Sequence, residues 1–342
     1  LFSHFKFKFI KMRNLVFILF MLAMVRVSAQ KKEMSLEDAI LGRYTYLRPA
    51  TMQGLSWKND KVFSFIKNDT LWAEKAKKDQ KSKVLSLNEL NNIINSDDND
   101  VFESFPRYSW TENENLLIHK NPKYFIVNPA EKSLITEIEL PEKAENSEFS
   151  EAGKYVAYTI DNDLFVPFEN GKTVQITSDG GNGVVNGKTV HRNEFGISDG
   201  IYISPNGSYI AFYRKDESMV SNYPVVDFMS RVAEYTPVKY PMAGMESHHV
   251  KVGIYNIKSG KKLFLKTGGD PEHFLTNLAW SPNEKKIYMA ELNRGQDHMK
   301  LNCYNVVDGE RLKTLFEERS KTYVEPLHPI RFSNVNEQKF YY

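Results

Sequence analysis

The feature that most constrains this chain is a short unit that recurs along it. Each copy has an aromatic or apolar residue, a small residue and a polar turn, and then runs into a β-rich strand. Copies read Gly54-Leu55-Ser56-Trp57-Lys58-Asn59, Pro106-Arg107-Tyr108-Ser109-Trp110-Thr111, Glu148-Phe149-Ser150-Glu151-Ala152-Gly153, Tyr202-Ile203-Ser204-Pro205-Asn206-Gly207 and Leu278-Ala279-Trp280-Ser281-Pro282-Asn283. Further strands follow, with hairpin turns at Asn170-Gly171, Ser259-Gly260 and Asp308-Gly309, pairs that supply the positive φ such turns need. One such unit cannot bury its apolar faces alone, and four strands in roughly 40–50 residues, repeated in tandem, form the blade of a β-propeller. The expected fold is therefore all-β, a propeller of four-stranded blades. A sixth unit starts near His328-Pro329-Ile330-Arg331-Phe332 and stops at Tyr342, which predicts an incomplete propeller of about five and a half blades. Sheet edges left open in this way predict poor solubility. Helical patterning is limited to a short N-terminal helix over Met34–Leu41, with Ser35 as N-cap, Asp38 at capping-box spacing and Gly42 as its end, and to a turn or two at Asn88–Ile94.

With 342 residues, 41% of them hydrophobic and 13% aromatic, the chain has ample material for a core. Its net charge of +2 leaves no electrostatic footprint for nucleic acid. The basic run Lys75–Lys83 and the acidic run Asp97–Asp100 read as solvated loops. A single cysteine, Cys303, excludes an internal disulfide and a cysteine-based zinc site, and its strand-like context predicts a buried small hydrophobe. Met12-Arg13-Asn14, the apolar run Leu15–Val25 and the small residues of Val27-Ser28-Ala29 before Gln30 have the layout of a secretory signal peptide. Eleven apolar residues are short for a bilayer span, which needs about 20. Residues 1–29 are therefore read as upstream residues plus a leader and 30–342 as the propeller. An exported chain nearly free of cysteine points to a bacterial periplasm, with an uncleaved N-terminal anchor as the alternative.

Between the fourth and fifth copies the repeat is interrupted by residues 216–249, and an insertion of that length marks a functional loop or a subunit-contact arm. Just ahead of the fourth copy lies the polar stretch Val190-His191-Arg192-Asn193-Glu194-Phe195-Gly196-Ile197-Ser198-Asp199-Gly200. Its Gly196-x-Ser198-x-Gly200 pattern matches a nucleophile elbow. That motif needs a strand before it and a helix after it, whereas a strand and a Pro-Asn-Gly turn follow here, so Ser198 is not expected to be a nucleophile. Histidines 191, 248, 249, 273, 298 and 328 have no metal-ligand spacing, and the adjacent His248 and His249 would face opposite sides of a strand. No metal or cofactor is expected. Glu194 is the candidate binding residue: a carboxylate on a loop can hold an ammonium group through a charge-assisted hydrogen bond, and Arg192 beside it could orient it or set its pKa. A solvated surface glutamate is the plain alternative.

Residues 188–332 resemble the N-terminal propeller of the dipeptidyl peptidase IV family of serine exopeptidases, and among these the prolyl tripeptidyl peptidase type most. The resemblance rests on His191-Arg192-Asn193-Glu194-Phe195-Gly196, Ala211-Phe212-Tyr213-Arg214-Lys215-Asp216-Glu217-Ser218, Tyr240-Pro241-Met242-Ala243-Gly244, Ser247-His248-His249-Val250, Phe274-Leu275-Thr276-Asn277 and Val324-Glu325-Pro326-Leu327-His328-Pro329, in that order. It implies a propeller of about eight blades over an α/β-hydrolase domain, with the active site between them. It assigns Glu194 to the free N-terminal amine of a peptide with proline at its second or third position, with Arg192, Asn193 and Phe195 in support. Dipeptidyl peptidases carry two adjacent glutamates there; Asn193 before Glu194 departs from that and favours the tripeptidyl type. The insertion 216–249 matches an arm that helps subunits pair, so a homodimer is implied. The catalytic serine, aspartate and histidine of that family have no counterpart in 1–342, which implies a substrate-anchoring part of an enzyme that digests exported or dietary peptides. A non-catalytic propeller that binds proteins or peptides is the competing reading, and a propeller enzyme with its site in the channel a weaker third.

Overall fold

The fold was read from a computed structural model, in which residues 33–78, 80–94, 101–168, 172–333 and 336–342 are described. The chain divides into two compact units, Leu1–Gln53 and Gly54–Tyr342. In the first, helix α1 (Leu36–Ile40) opens with a capping box: the Asp38 N–H donates to Ser35 Oγ at 2.9 Å and the Ser35 N–H to the Asp38 carboxylate at 3.4 Å. Leu41, still right-handed, is its C-cap. Gly42 therefore opens a following 3-10 turn (Gly42–Tyr44) instead of ending the helix, and its carbonyl accepts from the N–H groups of Thr45 and Leu47. The leader-like stretch lies outside the described residues; among those described, no helix is long and apolar enough to cross a membrane.

The second unit is built from successive sheets whose strands follow chain order. The first sheet holds β1 (Gln53–Asn59), β2 (Val62–Ile66), β3 (Thr70–Lys75) and β4 (Lys81–Ser86), followed by α2 (Leu87–Ile94). The second holds β5 (Tyr108–Trp110), β6 (Leu116–Lys120), β7 (Lys123–Asn128) and β8 (Ser133–Glu139). The third holds β9 (Glu145–Ser150), β10 (Tyr155–Ile160), β11 (Asp163–Pro167) and β12 (Thr173–Gln175). The fourth has β13 (Val184–Asn186), β14 (Ile201–Ile203) and β15 (Tyr209–Asp216). The separate hairpin β16 (Asn222–Asp227) and β17 (Glu234–Lys239) comes next, and β18 (His249–Asn256) and β19 (Lys262–Phe264) complete the sheet. The fifth contains β20 (Phe274–Trp280), β21 (Lys286–Leu292), β22 (His298–Asn305) and β23 (Arg311–Arg319); β24 (Arg331–Ser333) and β25 (Asn336–Tyr341) form a last pair. The repeat boundaries read from the sequence coincide with the first two strands of each sheet. The insertion 216–249 spans the interval from the end of β15 to the start of β18.

In four of the five repeats a serine or threonine closes the turn, and in the first Asn59 does so, its Oδ1 accepting the Lys61 and Val62 N–H groups. Ser281 Oγ accepts the Lys286 N–H at 3.0 Å, Ser204 Oγ that of Tyr209 at 2.9 Å, Ser150 Oγ that of Gly153 at 3.0 Å, and Thr111 Oγ1 that of Asn115 at 3.1 Å. A short hydroxyl at this position satisfies a backbone donor that the tight turn would otherwise leave bare. The run Lys75–Lys83 is only partly loop. Lys81 and Lys83 lie on β4, the last strand of its sheet, where exposed lysines discourage pairing with a foreign strand, and Lys83 also reaches Glu89 at 2.8 Å. Residues 97–100 and the Asn170-Gly171 turn fall outside the described residues.

Apolar clusters join each sheet to the next. Leu71, Leu85, Leu116 and Phe125 lie between the first and second, under α2 through Leu90 and Ile94. Tyr124, Val156 and Tyr158 link the second and third, and Leu164, Ile210 and Phe212 the third and fourth. Ala211, Tyr213, Val252, Ile287 and Met289 link the fourth and fifth. Central strands are thus buried on both faces, which is why β10 and β15 read as near-continuous apolar runs. Cys303 is fully buried in β22, as its context predicted.

A buried carboxylate is among the polar contacts that tie the fourth and fifth sheets. The carboxylate of buried Glu284 accepts from Ser204 Oγ and from the Asn206 N–H, both at 2.6 Å. Burial alone would raise its pKa, but the hydrogen bonds from Ser204, Ser208 and Asn206 outweigh that and hold it below its ordinary value. Replacing Glu284 by alanine strands both donors. A loss of about 3 kcal/mol in urea unfolding is expected, and an unchanged midpoint would show that water replaces the carboxylate.

Candidate functional site

In the other four sheets the first-strand position is one continuous strand. In the fourth it is split: β14 pairs with one half of β15 (Ile203↔Ile210 to Ile201↔Phe212) and β13 with the other (Asn186↔Arg214 to Val184↔Asp216). Residues 187–200 bridge the break, and they contain Glu194. The loop leaves and re-enters at close quarters: a Cβ on Gly200 would lie 2.3 Å from the Lys188 carbonyl carbon.

The loop backbone is strained. His191, Arg192, Asn193 and Phe195 have φ of 50°, 57°, 63° and 56°, left-handed values that cost non-glycine residues about 1–3 kcal/mol each and persist where surroundings enforce them. Three anchors do so. His191 is buried; its Nε2 accepts the Leu275 N–H at 3.1 Å, and its Nδ1 lies 2.9 Å from His248 Nε2. Phe195 is buried against Phe274, ring centroids 5.1 Å apart, in a cluster with Met299, Val324 and Ile330. Gly196 lies flat on the backbone of Leu327.

Between these anchors Glu194 is exposed, and its carboxylate makes no hydrogen bond or ion pair among the described residues. Arg192 does not pair with it. Its guanidinium instead covers the Tyr240 ring at 4.6 Å, fastening the loop to the insertion, because an exposed cation gains from an aromatic face at that distance. Phe195 serves as a buried peg. Asn193 is exposed beside Glu194 and, with Arg192, lines a cleft of about 340 Å³ that Lys215, Glu217, Lys239 and Pro241 complete; Glu194 is not part of its wall. Ser198 is exposed, donates to the Asp199 carboxylate at 3.3 Å and is followed by β14, not by a helix.

Of the other histidines, His273 is buried next to Phe274, His298 meets Glu317 at 2.8 Å, and His248, buried, lies just before the strand that the half-buried His249 opens, so the two do not share a strand. No group of three or more His, Cys, Asp or Glu side chains placed to hold a metal occurs among the described residues. Sequence reasoning did not find the His191–His248 contact, since 57 positions separate the two rings. It also missed Glu148 on β9, whose carboxyl burial pushes up to about 7, helped by the charge of Asp199 from the loop. Nothing in the local sequence marks Glu148, because its burial and the approach of Asp199 from the loop are both set by tertiary packing.

A run of antiparallel sheets that presents one unpaired carboxylate on a strained and anchored loop is a β-repeat scaffold carrying an exposed polar loop. This chain belongs to the family of dipeptidyl peptidase IV N-terminal regions, whose profile matches residues 108–342. The dipeptidyl-aminopeptidase B of Phaeosphaeria nodorum is 30% identical over 183 residues, 48% of this chain and 20% of that one. The Talaromyces stipitatus protein of the same name is 32% identical over 161 residues, 42% of this chain and 18% of that one. A solved Bacteroides ovatus protein assigned as a dipeptidyl aminopeptidase IV is 38% identical with a TM-score of 0.73, over 85% of this chain and 40% of that one. Porphyromonas gingivalis dipeptidyl peptidase 4 shares the fold at a TM-score of 0.66 and 20% identity, over 89% of this chain and 45% of that one. The chain thus spans a minor part of each relative's length. The family match also reaches back to the second sheet, 80 residues before the first sharp sequence words at 188.

Proposed function

We propose that this chain is the substrate-anchoring β-propeller of a proline-specific serine exopeptidase, and that Glu194 binds the free N-terminal amine of the peptide. The observation that carries the reading is the state of Glu194: an exposed, unpaired carboxylate held on a strained loop by buried His191 and Phe195. Strain maintained by three anchors is costly for a surface loop and useful for one that must hold a charge at a set point. Bound ammonium would donate up to three charge-assisted hydrogen bonds, one of them to Glu194. Anchoring the amine at a fixed distance from the scissile bond makes the loop a ruler. Asn193 in place of a second glutamate supports release of tripeptides ending in proline over release of dipeptides. In this reading a blade is one sheet, bond cleavage is acyl transfer by the serine, histidine and aspartate of the α/β-hydrolase domain such peptidases carry, and Met12–Ala29 directs the protein to the periplasm.

The test is release of Ala-Ala-Pro and Gly-Pro from chromogenic substrates by the full-length protein, each with a free and an acetylated N-terminus. Cleavage of the free-amine tripeptide substrate alone is expected. Equal cleavage of acetylated substrates would remove the amine anchor, and no cleavage by folded protein would favour the binding-module reading.

The insertion supplies the second partner, another copy of the chain. On its hairpin Phe228, Met229 and Val232 are 80%, 83% and 79% exposed, and Tyr235 stands beside them. Apolar side chains bared to this degree on a projecting hairpin suit a subunit contact. A dimer by light scattering is expected to become a monomer on Phe228→Asp with Met229→Asp; a dimer that survives both changes would place the contact elsewhere.

A further inference from the structure

We propose that His191 and His248 act together as a positioning strut for Glu194, and that the strut holds only while both rings are neutral. The proposal rests on the reading of Glu194 as the amine anchor. Hydrogen-bond direction assigns the tautomers. The Leu275 N–H is a donor, so His191 Nε2 is bare and its proton sits on Nδ1, 2.9 Å from His248 Nε2, which must accept it. The ring therefore couples the first strand of the fifth sheet, through Leu275, to the start of β18 in the fourth. It does so three residues before Glu194. Phe274 completes the grip: its ring meets His191 edge-on at 5.0 Å and Phe195 at 5.1 Å, so the residues on both sides of Glu194 rest on one side chain.

A proton added to His191 Nε2 would point at the Leu275 N–H, donor against donor. The surroundings oppose that proton. Burial first, then the charges of His248, His273, Lys215 and Arg294, hold His191 well below its ordinary value. Burial, Lys215, Arg294 and His249 push His248 down to about 4, with Glu272 acting the other way, and Asp270 faces His273 in the same sense. Glu217, ion-paired to Lys215 at 2.7 Å, Lys239 and Arg192 line the cleft that His191 and His248 share. The strut is thus intact at neutral and mildly acid pH and is lost only as pH falls through about 4, where His248 takes up a proton.

The experiment measures KM and kcat on a free-amine tripeptidyl-proline chromogenic substrate, from pH 3.5 to 7.5, for the full-length wild type, Glu194→Ala, His191→Ala and His191→Gln. With its strut removed, His191→Ala is expected to raise KM about tenfold at pH 7 with kcat within about threefold. His191→Gln keeps an acceptor for the Leu275 N–H but has no ring N–H to oppose a protonated His248, so it is expected to restore KM and to flatten the acid rise seen in wild type. If Glu194→Ala raises KM while His191→Ala does not, the strut is overturned and the anchor stands. If neither raises it, the anchor falls and the strut with it. Should His191→Ala fail to fold, the glutamine variant decides: a KM profile as acid-sensitive as wild type overturns the proposal.

Discussion

Alanine at position 194 is expected to lower kcat/KM toward peptides with a free N-terminal amine by about 10²–10³-fold, the cost of truncating one side of a desolvated charge-assisted pair. The carboxylate has no other partner among the described residues, so the loss falls on substrate and not on the fold, and the unfolding midpoint should stay at the wild-type value. Glutamine keeps an oxygen to accept the bond but removes the charge, and an intermediate loss of about tenfold is expected. Because the amine is bound equally in the ground and transition states, most of the change should appear in KM; a comparable fall in kcat would mean that the anchor also sets the register of the scissile bond. Residual cleavage of acetylated peptides should not respond to either change. A Glu194→Ala enzyme as active as wild type on free-amine substrates would return this residue to the ordinary class of solvated surface glutamates.

The second large effect is expected on stability. Gly196→Ala places a Cβ 1.9 Å from the Leu327 carbonyl oxygen, in a backbone with φ of +71°. Neither partner is a flexible side-chain tip. The Leu327 segment is held by Asn277, whose Nδ2 donates to the Pro326 carbonyl at 2.5 Å, and by Val324, buried in the cluster that contains Phe195. Accommodating the methyl group must shift one of two anchored backbones and adds left-handed strain, for an expected loss of about 3–5 kcal/mol in urea or thermal unfolding. Since Glu194 is two residues away, a variant that still folds should also show raised KM for free-amine substrates. An unfolding midpoint within the error of wild type would show that the 324–328 segment is free to move, and would weaken the case that it clamps the loop.

The repeat was legible because it is local. The serine or threonine that closes the turn sits at one position of the last four units, and the alternating and continuous apolar runs mark the strands that its neighbours bury. The capping box at Ser35 and Asp38, the helix near Asn88, the buried Cys303 and the bounds of the insertion are legible for the same reason, as each depends on residues near in the chain. Glu194 could be singled out by its sequence words, but not its condition. That Arg192 turns to Tyr240 and leaves the carboxylate bare follows from where the insertion returns. That Phe195 is a peg and His191 a strut follows from the strand beginning at Phe274, about 80 positions further on, being laid against the loop. Glu148 acquires its raised pKa from burial first and from the charge of Asp199 second, and both depend on how the chain packs in space. Sequence by itself determined which segments become strands and where the repeat is broken, because periodicity and turn chemistry act over a few residues. Tertiary structure alone decided which side chains are buried, paired or left open at the break, because those states depend on contacts between sheets that no local pattern encodes.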